Sequence, residues 1–137
     1  MLVNPSPRIL TMYDDNNVFA KILRGEIPCK KFYETQHALA FEDLYPQRRI
    51  HMLVIPKGKY IDLDDFNANA TGEEVIGFFR TISDVASRLK IQATEGGYRI
   101  ISNVGSNGGQ EVPHLHFHIL GGERVGRMLS PKTDKSI

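Results

Sequence analysis

The amino-acid sequence predicts an α+β domain in which an antiparallel sheet of about five strands is covered by one long helix and one short helix. Three observations support this fold class: several short runs have strand-like composition, one longer run has a helical period, and strands and helices do not alternate along the chain. The length of 137 residues is typical of a single domain. We therefore expect one hydrophobic core and one principal functional site.

The short helix comes first and is followed by two strands. A cap at Asp15, Asn16 or Asn17 precedes apolar residues at helical spacing, and Gly25 lies just past the predicted helix end. Those apolar residues are Val18, Phe19, Ile22 and Leu23. Strand-like runs then extend from Lys30 to Thr35 and from Ala38 to Asp43. The two-residue period of the second run places three side chains on one face, namely Leu39, Phe41 and Asp43.

The next two elements are a buried strand and the longest helix. Ile50 to Ile55 is almost continuously apolar, which predicts a strand covered on both faces, with His51, Leu53 and Ile55 on one side. Residues 58–70 are expected to be loop with one short helical turn. Thr71 to Glu74 then forms a capping box. Apolar residues follow at three- and four-residue steps, which predicts a core-facing helix of about five turns.

The last two strands are predicted over Tyr98 to Asn103 and His114 to Leu120. The loop between them contains Asn107-Gly108, a favoured turn dipeptide, so we expect the two strands to be antiparallel neighbours. The predicted domain covers residues 16–122. Residues 1–15 contain prolines and no apolar period, which indicates a flexible extension, and residues 123–137 are expected to be a tail.

Composition excludes several classes of protein. Charged residues make up 24% of the chain and hydrophobic residues 41%, as in an ordinary globular domain. The net charge of +1 predicts no basic surface for nucleic acid or anionic lipid. No apolar run is long enough for a signal peptide or a bilayer span. Cys29 is the only cysteine and has no intramolecular partner, so we expect a cytoplasmic protein that binds neither nucleic acid nor membrane.

The sharpest functional signal is a row of histidines. Three of the five histidines alternate with apolar residues between His114 and His118, so a regular strand would place all three imidazoles on one face. Leu115, Phe117 and Ile119 would then point into the core. Histidine is not a favoured strand residue, so three in alternation indicate a functional site rather than structure alone.

Two kinds of chemistry fit this row. Neighbouring histidines on a strand can converge on zinc, but His114 and His118 would stand roughly 13 Å apart, so Cys29, His51 or Glu111 would have to complete the site. Alternatively, the central His116 attacks an electrophile while its neighbours donate hydrogen bonds to the anionic group under attack. Phosphorus suits that role, since the adjacent loop, residues 105–111, is rich in glycines that allow close approach of an anion.

These residues resemble the histidine-triad (HIT) family of nucleotide hydrolases and transferases, and the Hint branch of nucleoside phosphoramidases most of all. The resemblance extends from about Val18 to Gly122. It rests on the alternating motif from His114 to Leu120 and on four further segments in the same order. These segments are Phe19 to Pro28, Ala40 to Leu44, His51 to Pro56 and Gly108 to Val112.

The resemblance implies a purine nucleotide site with His116 as the nucleophile, His118 on the α-phosphate, and His114 and His51 as supporting histidines. Substrate-binding positions carried over from the family are Phe19, Ile22, Asp43, Leu44, Leu53, Asn103, Gly109, Gln110 and Glu111. Asp43 would bind the ribose hydroxyls. The resemblance also implies a homodimer with a shared sheet, and the long helix carries more apolar positions than one face requires. We expect no metal and no cofactor. The alternative to an enzyme is a non-catalytic purine-nucleotide-binding regulatory module, which would need Asp43, Asn103 and the loop but not His116.

The chain departs from the family at three places. Glu111 occupies a position that is serine or threonine in some relatives, so its role as hydrogen-bond partner or proton donor is open. Pro113 precedes the histidine row where an aromatic residue is common. The tail contains no tryptophan, so the preference for a leaving group is not carried over.

Overall fold

The computed structural model describes residues 12–130 and forms one five-stranded antiparallel sheet, with the strand order β1-β2-β3-β5-β4. The strands are β1 (Lys31–Glu34), β2 (Ala38–Glu42), β3 (Ile50–Pro56), β4 (Tyr98–Ile101) and β5 (Phe117–Gly121). The helices are α1 (Val18–Leu23), α2 (Leu63–Asn69) and α3 (Gly72–Arg88), and a 3₁₀ turn spans Ala93–Glu95. The predicted α+β class is confirmed. The extension predicted over residues 1–15 and the tail over 123–137 lie partly outside the described residues.

The sheet is covered on both faces, and the two faces have different occupants. On one face α3 packs against a cluster that includes Ala40, Met52, Val54, Phe117 and Ile119. On the other face α1 contributes Phe19 to a smaller cluster with Leu39, Phe41, Leu53 and Ile55. The two-residue period of β2 and β3 sends alternate side chains to these clusters. This explains why both strands read as nearly continuous apolar runs.

Side-chain caps begin the helices on either side of the sheet. Asn17 caps α1, because its Oδ1 accepts a hydrogen bond from the backbone N–H of Ala20 at 2.9 Å. Thr71 and Glu74 form the predicted capping box at the start of α3. Within residues 12–130, no helix combines the length and the apolar character that a membrane span requires.

The segment between β3 and α3 contains more helix than the sequence predicts. Instead of a loop with one turn, residues Leu63–Asn69 form α2, and Asp62 caps it by accepting a hydrogen bond from the N–H of Asp65. Phe66 is the buried anchor of this helix and contacts the rings of Tyr60 and Phe78 edge-on. A single buried aromatic residue gives no periodic signal, so the helix is not visible in the apolar pattern.

The strand predicted over His114 to Leu120 is shorter in the structure, because β5 begins only at Phe117. The N–H of Leu115 donates to the carbonyl of Tyr60 at 2.8 Å, away from the sheet. Pro56 ends β3 and has no N–H with which to extend the ladder. Of the three histidines, only His118 therefore lies within a regular strand. The predicted alternation is nevertheless present, because Leu115, Phe117 and Ile119 all join the cluster on the α3 side. The rings of His114 and His116 both contact Phe19 of α1.

Gly77 permits the close approach of α3 to the chain just before β2. A Cβ atom at this position would lie 2.5 Å from Cδ2 and 3.2 Å from Cβ of His37. We therefore expect Gly77→Ala to lower the free energy of unfolding by about 1–3 kcal/mol, although alanine is the better helix former. Urea unfolding measures this change.

Gly72→Ala is the matched control, because a Cβ at Gly72 meets no atom within 4 Å. This substitution should leave stability unchanged or raise it. If Gly77→Ala proved as stable as Gly72→Ala, the close contact with His37 would not constrain the helix.

Candidate active site

A cavity of about 500 Å³ lies on the α1 face of the sheet and brings together most of the residues predicted for the site. Its wall is formed by α1, the ends of β2, β3 and β5, and the loop before β5. The predicted residues that line it are Phe19, Ile22, Asp43, Leu44, His51, Leu53, Asn103, Gly109, Glu111, His116 and His118. His114 and Gln110 are not part of the wall.

His116 lies at the inner wall with one ring nitrogen committed. Its Nδ1 is 2.7 Å from the carbonyl oxygen of His114. A carbonyl only accepts, so Nδ1 must carry the proton, and in the neutral ring Nε2 holds an unshared electron pair. The ring of Phe19 contacts His116 edge-on, with centroids 4.9 Å apart. His116 is therefore oriented from both sides, with Nε2 left as a potential nucleophile.

His114 is fully buried behind His116 and contacts the site through its backbone. Its Nε2 donates to the carbonyl of Pro56 at 2.9 Å. In the neutral ring Nδ1 must then be an acceptor, and the hydroxyl of Tyr13 donates to it. Both ring nitrogens are occupied, so His114 has no free position for substrate. Its carbonyl, which accepts the proton of His116, is the part that faces the site.

His51 and His118 form a second hydrogen-bonded pair, and its polarity can also be assigned. The backbone N–H of Gln47 donates to Nδ1 of His51 at 3.0 Å, so neutral His51 carries its proton on Nε2. That Nε2 is 2.9 Å from Nδ1 of His118 and donates to it. The proton of neutral His118 is therefore on Nε2. In this way the backbone N–H of Gln47 sets the tautomer of His51, and through His51 it also sets the tautomer of His118.

Two of the three histidines that line the cavity thus present opposite hydrogen-bonding character. His116 has an unprotonated Nε2, while His118 has a protonated Nε2, and their ring centroids are 5.3 Å apart. One ring can attack an electrophilic centre and the other can donate a hydrogen bond to an anionic oxygen on it.

Burial keeps these imidazoles neutral. The pKa values of His114 and His118 are both lowered to about 4, mainly by burial and in smaller part by the neighbouring histidines. Burial also lowers the pKa of His116, against the opposing influence of the His114 carbonyl, Asp43 and Glu111. The pKa of His51 is lowered by burial and raised by Asp43, with burial the larger cause. At neutral pH the nucleophilic form of His116 is therefore the populated one.

The glycine-rich loop before β5 is a closed turn rather than an open row of amides. The N–H groups of Gly109 and Gln110 donate to carbonyls within the loop, and the N–H of Gly105 donates to the side chain of Gln110. The side-chain amide of Gln110 also donates to the carbonyls of Ile61 and Val112. These three amides are not free for an anion, and Gln110 fixes the loop instead of lining the cavity.

Asp43 lies between the apolar wall of the cavity and the hydrogen-bonded pair of His51 and His118. Its Oδ2 lies 3.4 Å from Nε2 of His51, and its other oxygen accepts the N–H of Tyr45 at 2.8 Å. Asp43, His51 and His118 also have ligand atoms within 4.8 Å of one another, a spacing that a metal ion could use.

Several contributors to the site were not predicted, among them Phe41, Gln47 and Tyr13. Phe41 lines the cavity and shares a strand face with Asp43, so the two-residue period could have identified it. Gln47 acts through its backbone N–H and carries no side-chain signal. Tyr13 falls in the segment predicted to be a flexible extension, yet its hydroxyl contacts His114.

The assigned pKa values predict how stability depends on pH. Between about pH 4 and the ordinary histidine value of 6.5, the unfolded chain binds protons that folded His114 and His118 do not. Their contribution to stability is complete above pH 6.5 and is lost as the pH falls towards 4. The free energy of unfolding should therefore decrease over this range when it is measured by urea titration.

His118→Asn should reduce the pH dependence of the free energy of unfolding by up to about 1.4 kcal/mol per pH unit. The reason is that the variant lacks one group that binds a proton in the unfolded chain and not in the folded one. His37→Asn, a change outside the cavity wall, serves as the control. A His118→Asn variant with the full wild-type dependence would show that this ring is not held neutral by the fold.

Comparison with known proteins agrees with the geometry. The residues matched by the model of the HIT domain are 24–125. A HIT-like protein of Azospirillum brasilense, described as uncharacterized, is 58% identical over 118 residues, 86% of this chain and 95% of that protein. The purine nucleoside phosphoramidase of Escherichia coli is 38% identical over 120 residues, 86% of this chain and 97% of that enzyme.

A solved histidine triad protein from Clostridium difficile superposes with a TM-score of 0.75 and 40% identity, covering 85% of this chain and 98% of that one. The sequence match and the structural match thus both extend over most of this chain, and the residues matched by the family model include the histidine row and the five strands. On this evidence the protein belongs to the HIT family, as the resemblance of its motifs predicts.

Proposed function

We propose that the protein is a nucleotide hydrolase that cleaves purine nucleoside 5′-phosphoramidates or related AMP or GMP conjugates through a covalent nucleotidyl-histidine intermediate. The observation that carries this proposal is the pair of neighbouring rings with opposite character, His116 with unprotonated Nε2 and His118 with protonated Nε2. The name of the Escherichia coli relative, purine nucleoside phosphoramidase, supports the choice of substrate.

The reaction has two displacement steps. In the first, Nε2 of His116 forms a bond to the α-phosphorus as the phosphorus–nitrogen bond to the leaving amine breaks, and His118 donates a hydrogen bond to a phosphoryl oxygen. In the second, the oxygen of a water molecule bonds to phosphorus and the bond to Nε2 breaks, which releases the nucleoside monophosphate. A covalent intermediate divides one difficult substitution into two easier ones.

The departing nitrogen leaves with its electron pair and needs a proton. By the sequence alone, His118, His51, His114 and Glu111 could each supply or relay that proton. His118, His51 and Glu111 line the cavity. His114 is a poor candidate, because both of its ring nitrogens are hydrogen-bonded outside the cavity. The water that attacks in the second step returns a proton to the same group.

The nucleoside is proposed to occupy the apolar half of the cavity. Phe19, Ile22, Leu44 and Leu53 form that half, and Asp43 lies between it and the histidines. A carboxylate oxygen is a good acceptor for the hydroxyls of a ribose. With the base between the apolar side chains and the ribose at Asp43, the 5′-phosphate would lie beside His116 and His118.

Metal binding at Asp43, His51 and His118 is the competing interpretation, since their ligand atoms are close together. The tautomers argue against it. Nδ1 of His51 is already an acceptor, so its proton is on Nε2, which is the atom that faces the other two residues. A metal would have to displace that proton from an otherwise neutral ring. We therefore propose that the reaction proceeds without a metal ion.

We also propose that the protein is a homodimer that pairs through β4. Among residues 12–130 this strand is an edge of the sheet, so its outer N–H and C=O groups can pair with a further strand. Ile100 lies opposite Ile119, hence on the α3 face, and is 44% exposed. On α3, Ile76 and Phe79 are also exposed, and Phe79 contacts Phe117 of β5. An apolar surface beside an open edge suits a second copy of the chain.

Light scattering at micromolar concentration should give twice the chain mass, and Ile100→Asp should give the monomer, because a charge would be buried at the interface. Phe32→Asp is the matched control, since Phe32 is similarly exposed on β1, the opposite edge of the sheet. A monomeric parent protein, or an Ile100→Asp variant that stays dimeric, would contradict pairing through β4.

His116→Asn tests the nucleophile most directly. The asparagine amide can still donate to the carbonyl of His114 but has no nitrogen at the position of Nε2. Stability should change by no more than about 1 kcal/mol, while turnover of an adenosine phosphoramidate should be abolished. His37→Asn, the same substitution outside the site, should retain full activity.

Rapid quenching of the parent enzyme during turnover should trap AMP on a peptide that contains His116, detectable by mass spectrometry. Turnover by His116→Asn, or AMP attached only to another residue, would exclude His116 as the nucleophile. Binding of AMP without turnover by the parent protein would favour the alternative of a non-catalytic nucleotide-binding module.

A further inference from the structure

The buried end of the histidine row makes a contact that the proposed reaction does not use. The hydroxyl of Tyr13 lies 2.5 Å from Nδ1 of His114, and the two rings meet edge-on with centroids 5.6 Å apart. Tyr13 lies 101 positions before His114 in the sequence and outside the residues matched by the family model. Burial raises the pKa of the Tyr13 hydroxyl, so it remains a donor at neutral pH.

This contact fixes the His114 ring at both of its nitrogens. Nε2 donates to the carbonyl of Pro56, and Nδ1 accepts from Tyr13. The carbonyl of the same residue accepts Nδ1–H of His116 at 2.7 Å. A rotation or tautomer change of the His114 ring would therefore disturb the acceptor that orients the nucleophile.

The segment that carries Tyr13 is anchored to the body of the protein. Lys59 forms an ion pair with Asp15 at 2.8 Å, and Arg24 donates to the backbone carbonyl of Asp15 at 2.9 Å. The side chain of Asn17, which caps α1, donates to the carbonyl of Asp14 at 2.7 Å. These contacts hold the residues on either side of the turn before α1, so Tyr13 is presented from a fixed backbone.

We propose that Tyr13 is a positioning residue, which fixes the tautomer and orientation of His116 by holding the His114 ring against the carbonyl of Pro56. The expected effect of Tyr13 on catalysis rests on the proposed function. Its effect on the tautomer and orientation of His116 does not depend on that function. Tyr13 does not line the cavity, so it acts on the nucleophile through His114 and not on the substrate.

Tyr13→Phe removes the hydroxyl and keeps the ring contact with His114. With an adenosine phosphoramidate as substrate, kcat should fall by about three- to tenfold, the effect expected from one lost hydrogen bond, while KM stays within about twofold. Tyr33→Phe is the matched control. It removes a hydroxyl from β1 and keeps the ring on which Arg88 stacks, so kcat and KM should both remain at the parent values.

The ring-nitrogen resonances of ¹⁵N-histidine-labelled protein separate positioning from a general loss of stability. In the parent protein, His114 should show an unprotonated Nδ1 and a protonated Nε2, and His116 should show a protonated Nδ1. Tyr13→Phe should shift Nδ1 of His114 and also the Nδ1–H signal of His116, whereas Tyr33→Phe should shift neither. Loss of stability alone would leave the signals of the folded fraction in place.

Three results would overturn the proposal: a protonated Nδ1 on His114 in the parent protein, unchanged His116 signals in Tyr13→Phe, or a variant in which KM rises while kcat is retained. The protonation of Nδ1 of His114 is measured on the parent protein, so this test remains possible even if Tyr13→Phe fails to fold. If the parent protein hydrolysed no phosphoramidate, the proposed function would fail, and the histidine signals would still decide whether Tyr13 sets the state of His116.

Discussion

The hydrogen bond from Nδ1 of His116 to the carbonyl of His114 is the constraint on which the site depends. It joins residues only two positions apart, and alternation along a regular strand would point that carbonyl in the plane of the sheet rather than beneath the ring. The residues before Phe117 are not part of the sheet, and the N–H of Leu115 donates to the carbonyl of Tyr60 instead of to a neighbouring strand. The interruption of β5 is therefore what allows the backbone to set the tautomer of His116.

The two-sided sheet explains how the remaining groups reach the same cavity. β2 and β3 send alternate side chains to α3 and to α1, and the side chains on the α1 face change from apolar to polar towards one end. Along β3 this gives Ile55, Leu53 and then His51, and along β2 it gives Leu39, Phe41 and then Asp43. Because the strands are antiparallel and in register, both polar residues lie at the same end. These two neighbouring strands set the direction of the change, to which α1 adds the apolar Phe19 and Ile22, and His118 of β5 adds a further polar group.

Much of this could be predicted from the sequence, because it depends on periodicity and local caps. The two-residue period placed His51 with Leu53 and Asp43 with Phe41, and the capping box located the start of α3. Features that depend on contacts distant in sequence could not be predicted. Gln110 has a side chain that is suited to binding a ligand, but its amide donates a hydrogen bond to the backbone carbonyl of Ile61. Gln47 acts through its main chain, and Tyr13 contacts a residue that no local pattern relates to it.

The electrostatics of His116 suit a group that begins neutral and becomes charged. Burial is the larger influence and lowers its pKa, so the free ring is neutral. The His114 carbonyl, Asp43 and Glu111 act in the opposite sense and favour the cationic ring. In the proposed reaction the imidazole acquires positive charge as Nε2 bonds to phosphorus, so these three acceptors stabilise the ring more in the transition state than before it. Fixed groups that interact more strongly with the developing charge than with the ground state favour the reaction, and one of them, the His114 carbonyl, also holds the ring in place.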